Sequence, residues 1–167
     1  MNKILESDYK CVIVKTHSKQ GGGGNLLKEL LTQDVVQFTN QDLSWEEAIQ
    51  TAATPLLQRG SIENAYINAM IQNVKDLGPY ILLMPGFAMP HARPENGVNQ
   101  MGVSVLINEK EVEFDADKKA TVFFVLAATD NSSHLGVLAE LSTLLSDEEK
   151  FNQLANAKTY HDVVSLF

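Results

Sequence analysis

Two runs of apolar and largely β-branched residues, 102–107 and 121–128, place the strongest constraint on the fold of this chain. Neither run alternates between apolar and polar side chains, and both have the length of a strand. Runs of this kind are typical of strands that are buried on both faces of a sheet. Such a sheet needs cover on both sides, and amphipathic helices are the usual cover.

Amphipathic helices are predicted before these strands. In residues 45–56 and 62–77 the apolar side chains recur at helical intervals. Ser44 and Glu47 have the spacing of a capping box in front of the first helix, and Ser61 is the predicted cap of the second. Further elements are predicted along the chain: a short helix at 25–31, a strand at 35–38, apolar runs at 80–84 and 87–89, an edge strand at 112–114, a helix start at 130–133, and two helix starts with capping boxes that begin at Ser146 (146–149) and Thr159 (159–162). Helices and strands alternate, which predicts the α/β class.

Four consecutive glycines at 21–24 divide the chain. They predict a flexible joint, because no Gly-Lys-Ser/Thr follows them as it would in a phosphate-binding loop. Residues 1–24, which include a short apolar run at 12–14, are therefore expected to be a tail or linker. The length of 167 residues predicts one domain, spanning residues 25–167.

The charge balance excludes several classes of partner. Asp and Glu total 21 against 13 Lys and Arg, a net charge of −8, which argues against nucleic-acid and anionic-membrane surfaces. Cys11 is the single cysteine, so no internal disulfide is possible. No apolar run reaches the ~18 residues of a transmembrane helix, and residues 1–10 lack the apolar core of a secretory signal. A soluble cytoplasmic protein is the expectation.

His91 is the first candidate for chemistry. Pro90 and Pro94 restrict the backbone on either side of it, and Arg93 can offer a guanidinium fork to an oxyanion. An imidazole beside a guanidinium suits phosphoryl transfer, since a neutral ring nitrogen can attack while the cation stabilises the phosphoryl oxygens. The same residues also fit a plain turn with an exposed histidine and a salt-bridged arginine.

His134 is the second candidate, because it lies at a predicted helix start. Free amides and partial positive charge there favour an anion, and Ser132 or Ser133 could complete a phosphate pocket. The alternative is a partly buried residue with no chemical role. The other two histidines, His17 and His161, fall in the tail and in a solvated helix start. No metal-ligand spacing and no Gly-x-Ser-x-Gly elbow occurs, so neither a metal, a cofactor nor a serine hydrolase is predicted.

Residues 88–98, which contain Pro-His-Ala-Arg-Pro, resemble the active-site signature of the enzyme IIA domain of the bacterial phosphoenolpyruvate-dependent sugar phosphotransferase system. The resemblance is to the mannitol/fructose type and, within it, to the ascorbate-like branch. Residues 129–135 resemble the second-histidine segment of that family, and the likeness covers roughly residues 27–167. It implies a mixed β-sheet sandwiched between helices.

The resemblance implies a phosphoryl carrier. His91 would accept phosphate from phosphorylated HPr and pass it to a cysteine of enzyme IIB, for uptake of a sugar such as ascorbate. His134 would bind the phosphoryl oxygens. Where mannitol and fructose members carry an Arg-Glu pair, this chain has Gln72-Asn73. The resemblance therefore implies that Arg93 stabilises the phosphoryl group in place of the missing arginine. Whether the protein forms a homodimer is left open by the sequence.

A regulatory domain of the same fold is the alternative function. Such a domain would be phosphorylated but would signal by changing its affinity for partners. The lack of an attached helix-turn-helix or other output domain argues against it.

Overall fold

Five strands form one mixed sheet within residues 26–167, the part of the chain that the computed structural model describes. The expected tail 1–24, with its short apolar run at 12–14, lies outside the described residues. The strands are β1 Val36–Thr39, β2 Leu82–Met84, β3 Gly86–Ala88, β4 Gly102–Asp115 and β5 Lys118–Ala127. The helices are α1 Leu26–Leu30, α2 Trp45–Gln58, α3 Asn64–Leu77, α4 Leu135–Leu145, α5 Glu148–Ala155 and α6 Tyr160–Val164, with 3-10 turns at Gln33–Val35 and Pro94–Asn96.

The strand order is β1-β4-β5-β3-β2. β1 runs parallel to β4 and β3 parallel to β5, whereas the β4–β5 and β2–β3 pairs are antiparallel. The two apolar runs that predicted buried strands thus lie side by side in the centre of the sheet. The α/β class and the mixed sheet are confirmed.

Helices cover both faces of this sheet. Ser104 of β4 donates a hydrogen bond to the Ala52 carbonyl of α2 at 2.6 Å, so α2 packs on that face. Phe87 of β3 pairs with Val122 of β5, and Val122 pairs with an odd-numbered residue of β4. Because side chains alternate between the two faces along a strand, Phe87 lies on the face opposite the even-numbered Ser104. Phe151 of α5 packs edge-on against Phe87, with ring centroids 6.3 Å apart. The sheet is therefore sandwiched between helices, as expected.

Several predicted helix ends are confirmed. Ser44 and Glu47 form both bonds of the capping box that opens α2, and Thr159 and Asp162 do the same for α6. α3 ends at Gly78, whose φ of 81° is a backbone conformation that glycine adopts readily.

Two predicted caps are wrong. α3 begins at Asn64, because the Ser61 carbonyl accepts hydrogen bonds from the amides of Asn99 and Gln100 and holds this part of the chain against a distant loop. α5 is capped by the side chain of Asp147, while Ser146 belongs to the end of α4.

The predicted edge strand at 112–114 is also wrong as a separate element. These residues continue β4, which pairs with β5 beyond a register shift between Ile107 and Val112. Polar residues at 108–111 interrupt the apolar pattern, but the hairpin with β5 keeps the backbone extended through them. No helix among residues 26–167 is both long and apolar enough to cross a bilayer.

Gly97 holds the turn after the 3-10 helix against α3, and we expect Gly97→Ala to destabilise the protein. Its φ is 130°, and an added Cβ would lie 3.2 Å from the Tyr66 backbone nitrogen and 3.3 Å from the Glu63 Cβ. The expected loss in the free energy of unfolding is about 1–3 kcal/mol, measured by urea denaturation. Gly60→Ala is the control, because Gly60 also has a positive φ but has no atom within 4 Å of the added Cβ. Equal losses in the two variants would show that the contact with α3 contributes nothing.

Candidate functional site

His91 lies in the loop that follows β3, and hydrogen bonds to the residue before β2 and to β5 hold this loop in place. Met89 donates its amide to the Ile81 carbonyl at 2.8 Å, and the Pro90 carbonyl accepts the amide of Leu126 at 3.2 Å. The side chain of His91 is buried, with 5% of its surface exposed. The proline-bounded loop of the sequence is therefore an ordered wall of the site and not an exposed turn.

The imidazole of His91 has a defined protonation state. Its Nδ1 lies 2.7 Å from the Met89 carbonyl oxygen. A carbonyl only accepts hydrogen bonds, so Nδ1 carries the proton and Nε2 carries the lone pair. Burial lowers the pKa of His91 to about 4, and the charge of His134 lowers it further. The hydrogen bond to Met89 acts in the opposite direction and raises this pKa. The ring is therefore neutral at pH 7 and has a nucleophilic nitrogen.

Tyr66 and Tyr80 contact the backbone next to His91. The Tyr80 hydroxyl donates to the His91 carbonyl at 2.9 Å, and its ring meets the imidazole edge-on at 5.3 Å. The Ala92 amide donates to the Tyr66 hydroxyl at 3.1 Å, and that hydroxyl donates to the Leu126 carbonyl at 2.7 Å. The sequence assigned neither tyrosine to the site, since their partners lie 11 to 60 residues away and leave no local signal.

His134 is the residue immediately before α4, and 7% of its surface is exposed. Its Nδ1 lies 3.3 Å from the Asp130 carbonyl oxygen. His134 and His91 line one small cleft, as the sequence predicted for a shared pocket. The other lining residues are Tyr66, Ala92, Pro94, Leu126, Ala128, Asp130 and Asn131.

The two serines before His134 do not line this cleft. The Asp130 carboxylate accepts the amides of Ser132 and Ser133 at 2.7 and 2.6 Å, and the Ser132 hydroxyl at 2.8 Å. These hydrogen bonds lower the pKa of Asp130 to about 2. The serines thus order the loop before α4, and Asn131 takes the place in the cleft wall that was expected for them.

Arg93 lies outside the group of cleft residues. It precedes the 3-10 helix Pro94–Asn96, and its exposed side chain makes no hydrogen bond or ion pair with any residue in 26–167. Gln72 is exposed on α3, where it bonds Asp76 at 2.8 Å. Of the three predicted site residues, the fold brings the two histidines together and leaves the arginine at the surface.

The two imidazoles give this cleft a chemistry that suits a phosphoryl group. Within residues 26–167, no three His, Cys, Asp or Glu side chains converge where they could hold a metal ion. A buried neutral imidazole with its lone pair on Nε2 is a nucleophile, and a second imidazole across the cleft can become a cation. This arrangement can accept a phosphoryl group on one histidine and offset its charge with the other.

Known proteins are similar to this chain in sequence and in fold. Residues 29–167 match the family described as phosphoenolpyruvate-dependent sugar phosphotransferase system, EIIA 2. The ascorbate-specific EIIA component of Escherichia coli K12 is 33% identical over 126 residues, which cover 74% of this chain and 82% of that protein. The mannitol-specific cryptic enzyme IIA component of the same strain is 35% identical over 143 residues, covering 83% and 97%.

A solved structure extends the comparison to an assembly. It is a complex of enzyme IIAMTL and phosphorylated enzyme IIBMTL from Escherichia coli, superposed with a TM-score of 0.71 at 27% identity over 81% of this chain and 94% of that chain. The family match covers most of the chain, and it includes the cleft with both histidines. This protein therefore belongs to the type 2 EIIA family of the phosphoenolpyruvate-dependent sugar phosphotransferase system and is a phosphotransferase component.

Proposed function

We propose that this protein is a phosphoryl carrier that takes phosphate from phospho-HPr onto His91 and passes it to a cysteine of enzyme IIB. The observation that carries the proposal is the hydrogen bond from His91 Nδ1 to the Met89 carbonyl, which leaves the Nε2 lone pair for attack. The carrier domain would comprise residues 25–167, with 1–24 as a tail, and it would act in the cytoplasm. Ascorbate is the candidate sugar, since an ascorbate-specific component is among the relatives.

The transfer is an in-line displacement at phosphorus. Nε2 of His91 forms the new bond to phosphorus as the bond to the donor nitrogen of HPr breaks, and the reverse geometry delivers the group to a thiolate of enzyme IIB. The Met89 carbonyl would stabilise the phosphorylated ring, because it accepts a hydrogen bond from Nδ1–H while positive charge spreads over the imidazole. The protein contributes mainly orientation and charge, as is usual for phosphoryl transfer.

His134 would bind the phosphoryl oxygens from the far wall of the cleft. The Asp130 carbonyl keeps a proton on His134 Nδ1, so the ring donates through Nε2 in its protonated form. A phosphoryl dianion on His91 favours that form. Arg93, exposed at the edge of the loop, would add its charge by turning toward the group or toward a docked partner.

Reconstitution with purified partners tests the function. The protein is incubated with phosphoenolpyruvate, enzyme I and HPr, and the matched enzyme IIB is then added. Loss of the label from this protein and its appearance on enzyme IIB supports the carrier. A label that enters the protein and stays there in the presence of enzyme IIB contradicts the carrier and supports the alternative, a regulatory domain that signals through partner affinity.

The titration of His91 gives a pH prediction. Because burial lowers its pKa from 6.5 to about 4, the His91 imidazole should show no NMR titration between pH 7 and pH 5. The unfolded chain binds the proton below pH 6.5 and the folded chain does not, so the free energy of unfolding should fall as pH falls from 6.5 to 4. The expected loss at pH 4 is about 3 kcal/mol. His91→Gln should lack this loss, and an ordinary titration near pH 6.5 would contradict the buried neutral ring.

A further inference from the structure

Two tyrosine hydroxyls bind the same peptide group, the one that joins His91 to Ala92. The Tyr80 hydroxyl donates to its carbonyl oxygen at 2.9 Å, and its N–H donates to the Tyr66 hydroxyl at 3.1 Å. Tyr66 lies in α3, whereas Tyr80 lies before β2. Both polar atoms of one peptide group are thus held from opposite directions by side chains of separate elements.

The Tyr66 hydroxyl also ties this peptide to the sheet. Its single proton goes to the Leu126 carbonyl in β5, at 2.7 Å, while the Ala92 carbonyl lies farther away at 3.4 Å. The hydroxyl therefore donates to the sheet and accepts from the loop. Because Tyr66 has no exposed surface, its phenol cannot move without disturbing the core.

We propose that Tyr66 and Tyr80 are positioning residues for phosphoryl transfer, which clamp the His91–Ala92 peptide and thereby direct Nε2 of His91 into the cleft. The inference rests on the proposed function of His91. The hydrogen bond to the Met89 carbonyl restrains the imidazole, and the clamp restrains the backbone that follows it. In-line transfer needs both restraints, because displacement of a reacting atom by about 1 Å lowers a rate by about 100-fold.

The variants Tyr66→Phe and Tyr80→Phe remove the hydroxyls and keep the rings. We expect each to slow phosphoryl transfer from phospho-HPr about 10-fold to 100-fold, with an unchanged concentration of phospho-HPr at half-maximal rate. Tyr160→Phe is the matched control, because the Tyr160 hydroxyl donates to the Leu31 carbonyl at 2.7 Å in another part of the fold. That variant should lose stability and keep its transfer rate.

A second measurement separates positioning from general stability. In the wild-type protein, ¹⁵N NMR of the His91 imidazole should show one tautomer with a slowly exchanging Nδ1 proton. Both clamp variants should show fast exchange of this proton or a mixture of tautomers, whereas Tyr160→Phe should show the wild-type signals. This measurement needs no activity, so it tests the clamp even if the wild-type protein takes no phosphate and the proposed function fails.

Wild-type transfer rates together with wild-type imidazole signals in Tyr80→Phe would overturn the proposal. The same changes in Tyr160→Phe would also overturn it, because they would then follow from lost stability alone. Tyr80 is only half-buried, so its variant keeps the test decisive if Tyr66→Phe does not fold.

Discussion

Replacing His91 with alanine is expected to abolish phosphorylation of the protein by phosphoenolpyruvate, enzyme I and HPr. Apart from His134, which we propose binds the phosphoryl oxygens, the other side chains that line the cleft are apolar, phenolic, amide or carboxylate groups. The measurement is the amount of acid-labile, base-stable phosphate per protein. Loss of the reacting atom should reduce it to background.

Folding must be controlled in this experiment, because His91 is buried. His91→Gln keeps a side chain that can donate to the Met89 carbonyl, and it should be folded and unlabelled. His161→Ala, which removes an exposed histidine at the start of α6, should take phosphate at the wild-type level. Full labelling of folded His91→Ala would show that the nucleophile is elsewhere.

His134→Ala is expected to take phosphate but to transfer it about 10²–10³-fold more slowly. The ring lies across the cleft from His91 and supplies a donor to the phosphoryl oxygens, and loss of one such preorganised donor typically has an effect of this size. Helix α4 should survive the change, because the His134 side chain makes no capping hydrogen bond. Single-turnover transfer from phospho-HPr, followed in a rapid-quench apparatus, gives the rate.

A glutamine at the same position makes the test specific. His134→Gln retains an N–H donor without the charge, so its rate should lie between those of wild type and His134→Ala. A wild-type rate in His134→Ala would exclude His134 from the site. Labelling of His91→Ala together with no labelling of a folded His134→Ala would reverse the roles of the two histidines.

Local signals in the sequence predicted most helix boundaries. The capping boxes at Ser44 and Thr159 depend on bonds within three residues, and the stop at Gly78 depends on one backbone conformation. Ser61 failed because its carbonyl binds residues 99 and 100, which a local pattern does not include.

The site was predicted in part. The neighbouring prolines and the helix start identified His91 and His134, because both features are contiguous in sequence. That the two rings share a cleft depends on β3 and β5 lying side by side, with their following loops at the same edge of the sheet. The sequence did not show that Arg93 stays exposed outside the cleft, because exposure depends on how its loop packs in the folded chain.

The sequence by itself determined the α/β class, the two central strands, most helices and the two histidines, because each follows from the periodicity or chemistry of neighbouring residues. The tertiary structure alone decided the tautomer and low pKa of His91, the binding of its peptide by Tyr66 and Tyr80, and the exclusion of Arg93 from the cleft. The physical reason is that these properties depend on contacts between residues that are far apart in the sequence. Hydrogen bonds between residues up to 60 positions apart, and the desolvation of a buried ring, exist only once the sheet and its helices have packed.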